Sequence, residues 1–235
     1  MKYTLIISGI LLLMILSISC DGNSEITGNR NYTTLEHDLN EFQSVSNPFP
    51  GTVRLKNGNY KIRINAESNI LDMITYKIDD KMLILGSDDV NFESNGIDFE
   101  IYSQDFNYLI NDGSANWTSD SLNIDPMIIS NGSGKIELTG KSTTQKIQSN
   151  GSGDINLTSM PTENINIEAS STGEILVNVS NNAEVLVNGS GSITILNLYG
   201  ILVVTINGSG NVYYSGNPSE IRETLNGSGK VIELQ

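Results

Sequence analysis

Asn188-Gly189-Ser190-Gly191 is one of five copies of the same tetrapeptide in this chain. The five copies occupy residues 131–134, 150–153, 188–191, 207–210 and 226–229. Two degenerate copies, at 112–115 and 170–173, keep the register, so that the steps are nineteen residues long, with one of twenty and one of eighteen. Self-similarity at a fixed period is the signature of a repeat protein, in which each unit stacks on the next.

Each repeat contains two short segments in which polar and apolar residues alternate, as side chains do along a β-strand. One segment follows the glycines, as in Ile193 and Ile195, and the other precedes the asparagine, as in Leu202 and Val204. A two-strand unit cannot bury its own apolar face, but units stacked about 4.8 Å apart share a continuous core. The sequence therefore predicts an all-β fold, a parallel β-helix or solenoid with coils of about nineteen residues. One inward column is predicted to run through Trp117, Ile136, Ile155, Ile175, Ile193, Val212 and Val231.

The tetrapeptide is assigned to a corner of each coil. Glycine supplies either a positive φ or a close backbone approach without steric cost, and asparagine can hydrogen-bond the asparagine of the next coil to form a ladder. The alternative is a ligand-binding stripe of repeated amides and hydroxyls, but corner ladders are so common in stacked coils that the structural role is favoured. The corner residues are Asn131, Gly132, Gly134, Asn150, Gly151, Gly153, Asn188, Gly189, Gly191, Asn207, Gly208, Gly210, Asn226, Gly227 and Gly229.

The residue after the second glycine varies, which argues against a calcium-binding roll. Such rolls hold a carboxylate at a fixed place in a nine-residue repeat. Here that place holds Lys135, Asp154, Glu174, Ser192, Asn211 and Lys230. No metal or other cofactor is expected, and the Asn-Gly-Ser matches to the N-glycosylation pattern are explained by the ladder.

The first nineteen residues have the pattern of an export signal. Lys2 precedes an apolar run from Leu5 to Leu16, which is shorter than the roughly 20 residues of a membrane-spanning helix. A short small-residue stretch then leads to Cys20, the only cysteine, in an arrangement that resembles the bacterial lipobox. Residues 1–19 are therefore predicted to be a lipoprotein signal peptide, with Cys20 lipidated. The alternative is a plain secretory signal that leaves a free thiol.

Lipidation at Cys20 would attach the protein to a bacterial membrane, with the outer membrane of the cell envelope as the expected location. The polar residues 20–31 have no apolar periodicity, and we expect them to form a flexible tether. Without residues 1–19 the chain has 12 basic and 27 acidic residues, a net charge of −15. This acidic balance argues against nucleic acid as a partner.

The chain between the tether and the repeats contains alternating segments separated by turn signals. The segments are Thr52 to Lys56, Tyr60 to Ile64, Ile74 to Ile78, Met82 to Leu85 and Ile97 to Tyr102. They are predicted to form irregular first coils that cap one end of the stack, before regular coils begin at about residue 108.

The arrangement as a whole resembles the putative auto-transporter adhesin, head GIN domain family. The resemblance rests on the lipoprotein signal, the segment Asp38-Leu39-Asn40-Glu41-Phe42, the Gly-Ser-Gly coils and the closing segment at 212–218. It implies a head GIN-like β-solenoid domain over residues 32–235, in an envelope protein of the kind common in Bacteroidetes. The family has no established catalytic residues, and its adhesin label rests on analogy of fold.

Catalysis is not expected, although some polysaccharide-degrading enzymes are β-helices. A general acid or base would need partners on adjacent coils, but His37 is the only histidine and precedes the repeats. The arginines, at 30, 54, 63 and 222, never occur twice in the coil register. Asp154, Glu168, Glu174 and Glu184 fall in neighbouring coils, where solvated outward positions explain them better.

The favoured function is a non-catalytic, adhesin-like module that binds protein or carbohydrate through the flat sides of the solenoid. Tyr199, Tyr213 and Tyr214 are the candidate binding residues, since an exposed tyrosine can stack on a sugar ring or on a partner's surface. A rigid spacer that stacks through its C-terminal coil is the competing hypothesis, and an envelope-stress sensor is a third. The ligand and the oligomeric state are not determined by the sequence.

Overall fold

The computed structural model describes residues 26–87 and 92–235, which fold almost entirely into strands stacked as the coils of a solenoid. Numbered in chain order, the strands are β1 (Ile26–Thr27), β2 (Tyr32–Asp38), β3 (Ser44–Asn47), β4 (Thr52–Asn57), β5 (Lys61–Glu67), β6 (Ile74–Asp79), β7 (Met82–Ser87), β8 (Phe92–Glu93), β9 (Asp98–Ser103), β10 (Tyr108–Asn111), β11 (Asn116–Ser119), β12 (Leu122–Asn123), β13 (Met127–Ser130), β14 (Ile136–Glu137), β15 (Gly140–Lys141), β16 (Thr144–Ser149), β17 (Ile155–Ala169), β18 (Ile175–Val187), β19 (Ile193–Leu198), β20 (Ile201–Ile206), β21 (Val212–Gly216), β22 (Glu220–Leu225) and β23 (Val231–Glu233). In the described ranges the single helix, α1 (Ser68–Leu71), is far too short to cross a membrane.

Two walls of parallel strands run along the solenoid axis. Face A contains the strands before each corner: β7, β3, β10, β13, β16, the second halves of β17 and β18, β20 and β22. Face B contains the strands after each corner: β9, β4, β11, β14, the first halves of β17 and β18, β19, β21 and β23. The predicted parallel solenoid is confirmed.

The predicted inward column exists residue for residue. Trp117 pairs with Ile136, and the pairing continues through each predicted member to Val231. The column also extends into the cap, through Val53 to Phe99. All of its members except Val231 are buried, so a single apolar core runs along the stack.

The corner glycines are required for close backbone approach, and the alternative reason, a positive φ, is wrong for these positions. In the described residues the glycines with positive φ are Gly51, Gly96, Gly140 and Gly216, all outside the tetrapeptides. A Cβ added to any corner glycine would instead collide with the backbone of the preceding coil; at Gly132 the nearest atom is the Gly113 carbonyl oxygen.

The asparagines form the predicted ladder, in two runs. The Asn150 amide donates to Asn131 Oδ1 over 2.8 Å, and the Asn131 amide donates to Asp112 Oδ1 over 2.7 Å. A second run joins Asn226 to Asn207 and Asn207 to Asn188, with 2.8 Å at each step. Ser170 occupies the position between the runs, because the pairing of β16, β17 and β18 places it between Asn150 and Asn188.

The cap is built differently from the prediction. β3 and β4 are not an irregular start but a regular coil, since Ser44 pairs with Tyr108 and Thr52 with Asn116, so in-register stacking begins well before residue 108. The chain then turns back: β7 and β9 cover the opposite side of this coil, β6 pairs antiparallel with β7, and β5 and β2 extend face B as antiparallel strands. The first regular coil is therefore enclosed between the cap and the later coils.

The segment 26–31, predicted to belong to the tether, is docked on the cap. The Arg30 backbone N–H, Ser94 and Asn95 donate hydrogen bonds of 2.8–3.1 Å to the carboxylate of Glu67, which is fully buried. Burial opposes ionisation of Glu67, but these hydrogen bonds outweigh it and lower the pKa of the carboxyl group. The predicted tether thus extends no further than residue 25. Residues 20–25, the signal peptide and Cys20 lie outside the described residues.

Substitution of Gly191 provides a test of the corner geometry. Replacement with valine is expected to lower the free energy of unfolding by about 2–4 kcal/mol, because the side chain would meet the backbone of Thr172 and Gly173. Ser192→Lys, one residue further on, is the matched control and should change stability little. Chemical denaturation of both variants gives the comparison, and equal losses would contradict the proposed role of the corner.

Ser170 offers a test of the ladder. Ser170→Asn is expected to raise the free energy of unfolding by about 1 kcal/mol, because the new amide can bond both Asn150 and Asn188 and join the two runs. Ser152→Asn, at a corner position outside the ladder, should give no gain. Denaturation curves that show the same change for both variants would argue against a stabilising ladder.

Candidate binding surfaces

The structure separates the three tyrosines proposed as binding residues. Tyr199 lies in the loop between β19 and β20 and is 59% exposed, and Tyr213 lies half-buried on the outer surface of face B. Tyr214 points inward, as strand alternation requires, and is 9% exposed. Burial, with the charges of Glu233 and Glu223, raises the pKa of the Tyr214 hydroxyl. Tyr214 belongs to the core and is therefore removed from the candidate binding surface.

Tyr213 lies in a line of outward side chains that we call the Tyr213 strip: Leu176, Thr194, Tyr213 and Ile232. All four side chains are half-buried. Asn211 Nδ2 donates to the Tyr213 hydroxyl over 3.3 Å. The strip thus combines an aromatic ring with an amide and a hydroxyl beside it.

A larger apolar surface lies on the outside of face A, which we call the face A patch: Met82, Ile84, Tyr108, Ile110, Met127 and Ile129. The register places these side chains in two rows across β7, β10 and β13, with Ser44 and Ser46 of β3 in the gap between β7 and β10. Tyr108 is 45% exposed and the other five are half-buried. The patch ends at β16, where Lys146 follows Met127.

Sequence reasoning missed this patch, although a signal for it exists. A strand with one buried face alternates polar and apolar residues, whereas β7, β10 and β13 begin with the consecutive apolar runs 82–85, 108–110 and 127–129. In each run one residue in two must point away from the core of a single-layer solenoid. The runs therefore indicate an outer apolar surface once the fold is known.

A polar groove borders the face A patch. It is lined by the segments that lead from a face B strand to the next face A strand. It contains two cavities of about 580 and 500 Å³, which share Asn107 and Asp125, and the second is also lined by Tyr108 and Met127 of the patch. Lys141 lines the first cavity and Lys146 the second. The patch thus has a polar border with both signs of charge.

Asp125 joins the two sides of this groove by hydrogen bonds. Its Oδ1 accepts hydrogen bonds from Ser142 Oγ and from the backbone N–H groups of Thr143 and Thr144, over 2.6–3.1 Å. Asp125 is exposed as a whole, but partial desolvation of its carboxyl group opposes ionisation; the hydrogen bonds outweigh this effect and lower the pKa of the carboxyl group. The carboxylate thus links successive coils and stays ionised at neutral pH, which suits a positioning role better than proton transfer.

The corner asparagines use their amides on one another, which supports the ladder over a ligand-binding stripe. Asn131 and Asn207 are the inner rungs, the middle residues of the two runs. The side-chain amide of each donates a hydrogen bond to the residue of the preceding coil and accepts one from the asparagine of the following coil. Each inner rung thus commits one of its two N–H groups and one of its two acceptor lone pairs to the ladder.

Three of the residues considered for catalysis, His37, Asp154 and Glu184, make structural contacts. His37 lies on β2 and hydrogen-bonds the hydroxyl of Tyr76. Asp154 accepts the backbone N–H of Glu174, and Glu184 accepts the amide of Asn166. Across 26–87 and 92–235 no three His, Cys, Asp or Glu side chains are grouped so as to hold a metal ion.

Comparison with known proteins agrees with this architecture. A family model described as "Putative auto-transporter adhesin, head GIN domain" matches residues 41–198. No curated protein matches the sequence.

Three solved structures share the fold at low sequence identity. A putative adhesin from Bacteroides fragilis has a TM-score of 0.79 at 19% identity, covering 89% of this chain and 100% of its own. One from Parabacteroides merdae has a TM-score of 0.64 at 21% identity, covering 90% and 99%. A protein from Parabacteroides distasonis described as a putative lipid binding protein has a TM-score of 0.64 at 15% identity, covering 90% and 100%.

Proposed function

Because this chain belongs to the putative auto-transporter adhesin, head GIN domain family, we propose that it is a non-catalytic, adhesin-like protein of the cell envelope that binds a protein ligand through the face A patch. The observation that carries this proposal is a set of six large apolar side chains on the outer surface of face A: four adjoin on β10 and β13, and two lie on β7, across the serines of β3. Scattered apolar residues on a surface are ordinary, whereas a contiguous set bordered by polar groups marks an interaction site.

The composition of the patch favours a protein ligand over a sugar. Five of its six side chains have no hydrogen-bonding hydroxyl or amide, and methionine and tyrosine are enriched in protein interfaces. The bordering groove supplies Asp125, Lys141 and Lys146 as a polar rim of the kind that surrounds such interfaces. The stacked strands hold the patch rigidly, which reduces the entropy lost on binding.

A carbohydrate ligand is the second candidate, at the Tyr213 strip. An aromatic ring beside amide and hydroxyl groups can stack on a sugar ring and hydrogen-bond its hydroxyls. Asn211 and Thr194 supply these groups next to Tyr213.

We also propose that Cys20 is lipidated, which would place the two candidate surfaces at different distances from the membrane. The six residues 20–25 could span at most about 20 Å, so the cap, on which residues 26–31 dock, would lie beside the membrane. The face A patch would then lie in the membrane-proximal coils. The Tyr213 strip belongs to coils roughly 20 Å further along the axis, at about 4.8 Å per coil.

Immobilised arrays of extracellular and envelope proteins, and of glycans, test the two surfaces together. The double variant Tyr108→Ser, Met127→Ser should bind its protein targets at least about tenfold more weakly than the wild type, because the centre of the patch is lost. Tyr213→Ser, on the other face, is the matched control and should keep protein binding. Glycan binding lost only in Tyr213→Ser would favour the second candidate, and blank arrays would contradict both.

The lipid anchor has its own test. Metabolic labelling with an alkyne fatty acid in a bacterial host should label the wild type, and Cys20→Ser should abolish the label and release the protein from membranes, because the proposed lipid is attached through the Cys20 sulfur. Ser24→Ala should retain the label. A labelled Cys20→Ser variant, or an unlabelled wild type, would contradict anchoring at this residue.

A further inference from the structure

The last coil leaves apolar side chains exposed at the end of the stack. In the described chain β22 and β23 pair on one side only, with β20 and β21. Ile221 is 37% exposed and Leu225 is 48% exposed, although both occupy positions that are buried in earlier coils. Unpaired strand edges with apolar side chains are templates for pairing with another chain.

Two carboxylates occupy inward positions of this same coil. Glu223 pairs with Val204, which is in column with Val185, Ile167 and Ile147, all of them buried. Glu233 pairs with Tyr214, whose own column continues through Ile195 and Val177. The last coil therefore has a charge on each wall where earlier coils have core side chains.

Neither carboxylate is neutralised by a neighbour. The nearby cation Arg222 points outward, where it forms a two-bond ion pair of 2.6 and 2.8 Å with Glu220. Glu223 and Glu233 have no ion pair among residues 26–87 and 92–235. Their charges do reach the core, since both raise the pKa of the buried Tyr214 hydroxyl.

We infer that Glu223 and Glu233 keep the exposed edge of β22 and β23 from pairing with a second copy of this chain. A coil added to β22 and β23 would cover both carboxylates without a counter-charge, and burying an unpaired charge carries a large desolvation cost, which opposes the pairing. Inward-pointing charges are one of the ways in which β-proteins protect exposed edges. The protein would then act as single solenoids that bind through their faces, and not as a spacer assembled end to end.

Light scattering coupled to size-exclusion chromatography tests this inference. Wild-type protein should be monomeric. The double variant Glu223→Val, Glu233→Val should associate, because the end becomes a continuous apolar edge. The concentration at which half of the double variant is associated should be at least about tenfold lower than that for the wild type. Two substitutions on the outer surface of β22 are the controls: Glu220→Gln removes a charge from that strand, and Thr224→Val adds an apolar side chain to it. Both should stay monomeric.

Circular dichroism and denaturation of the double variant establish that it is folded. A folded double variant that remains monomeric at the highest concentration reached would overturn the inference. So would a wild-type protein that associates through its last coil, or association of the controls to the same extent as the double variant.

Discussion

Successive corners of this solenoid approach so closely that the carbonyl oxygen of one coil occupies the place where a Cβ of the next coil would lie. This approach allows the corner backbone itself to be hydrogen-bonded from coil to coil; the N–H of Ser209, for example, donates to the Gly189 carbonyl over 3.1 Å. Each corner joins a strand of face A to a strand of face B. A side chain at the corner would push successive coils apart, and the strands of both face A and face B would then lose their pairing. The register of the whole core therefore depends on glycine at these positions.

The same register decides which side chains can meet a ligand. On a wall one strand thick, every second residue faces the core and the others face solvent. Tyr213 and Tyr214 show the consequence, since adjacent residues of one type divide between the outer surface and the core. Where both positions are apolar, as in β7, β10 and β13, the outer wall becomes an apolar surface. In the last coil, two inward positions carry the charged side chains of Glu223 and Glu233, and the column of apolar core residues does not continue through them.

The two ends of the stack are completed by different means. At one end the antiparallel strands β2, β5 and β6 and the docked segment around the buried Glu67 carboxylate close the solenoid with backbone pairing and hydrogen bonds. At the other end the strands remain unpaired on one side, and Glu223 and Glu233 protect them by charge. The two walls of such a module remain open to solvent, as the proposed binding role requires. The family description, putative auto-transporter adhesin, agrees with that proposal.

The amino-acid sequence by itself determined the coil length, the position of the corners and the inward column from Trp117 to Val231, because a repeat places the same local pattern in the same place in every coil. It also indicated the asparagine ladder, since stacking follows directly from the period. Only the tertiary structure decided the cap, in which β7 and β9 return to cover the coil of β3 and β4, because pairing between distant, non-repeating strands leaves no periodic signal. It also decided that glycine serves close approach and not a positive φ, that Tyr214 is buried, and that Tyr108 adjoins Met127 while Met82 lies across β3 from them. These features depend on which strands become neighbours. Met82 pairs with Ser44, 38 residues earlier in the chain, and Ser44 pairs with Tyr108, 64 residues later, so only the completed stack brings them together.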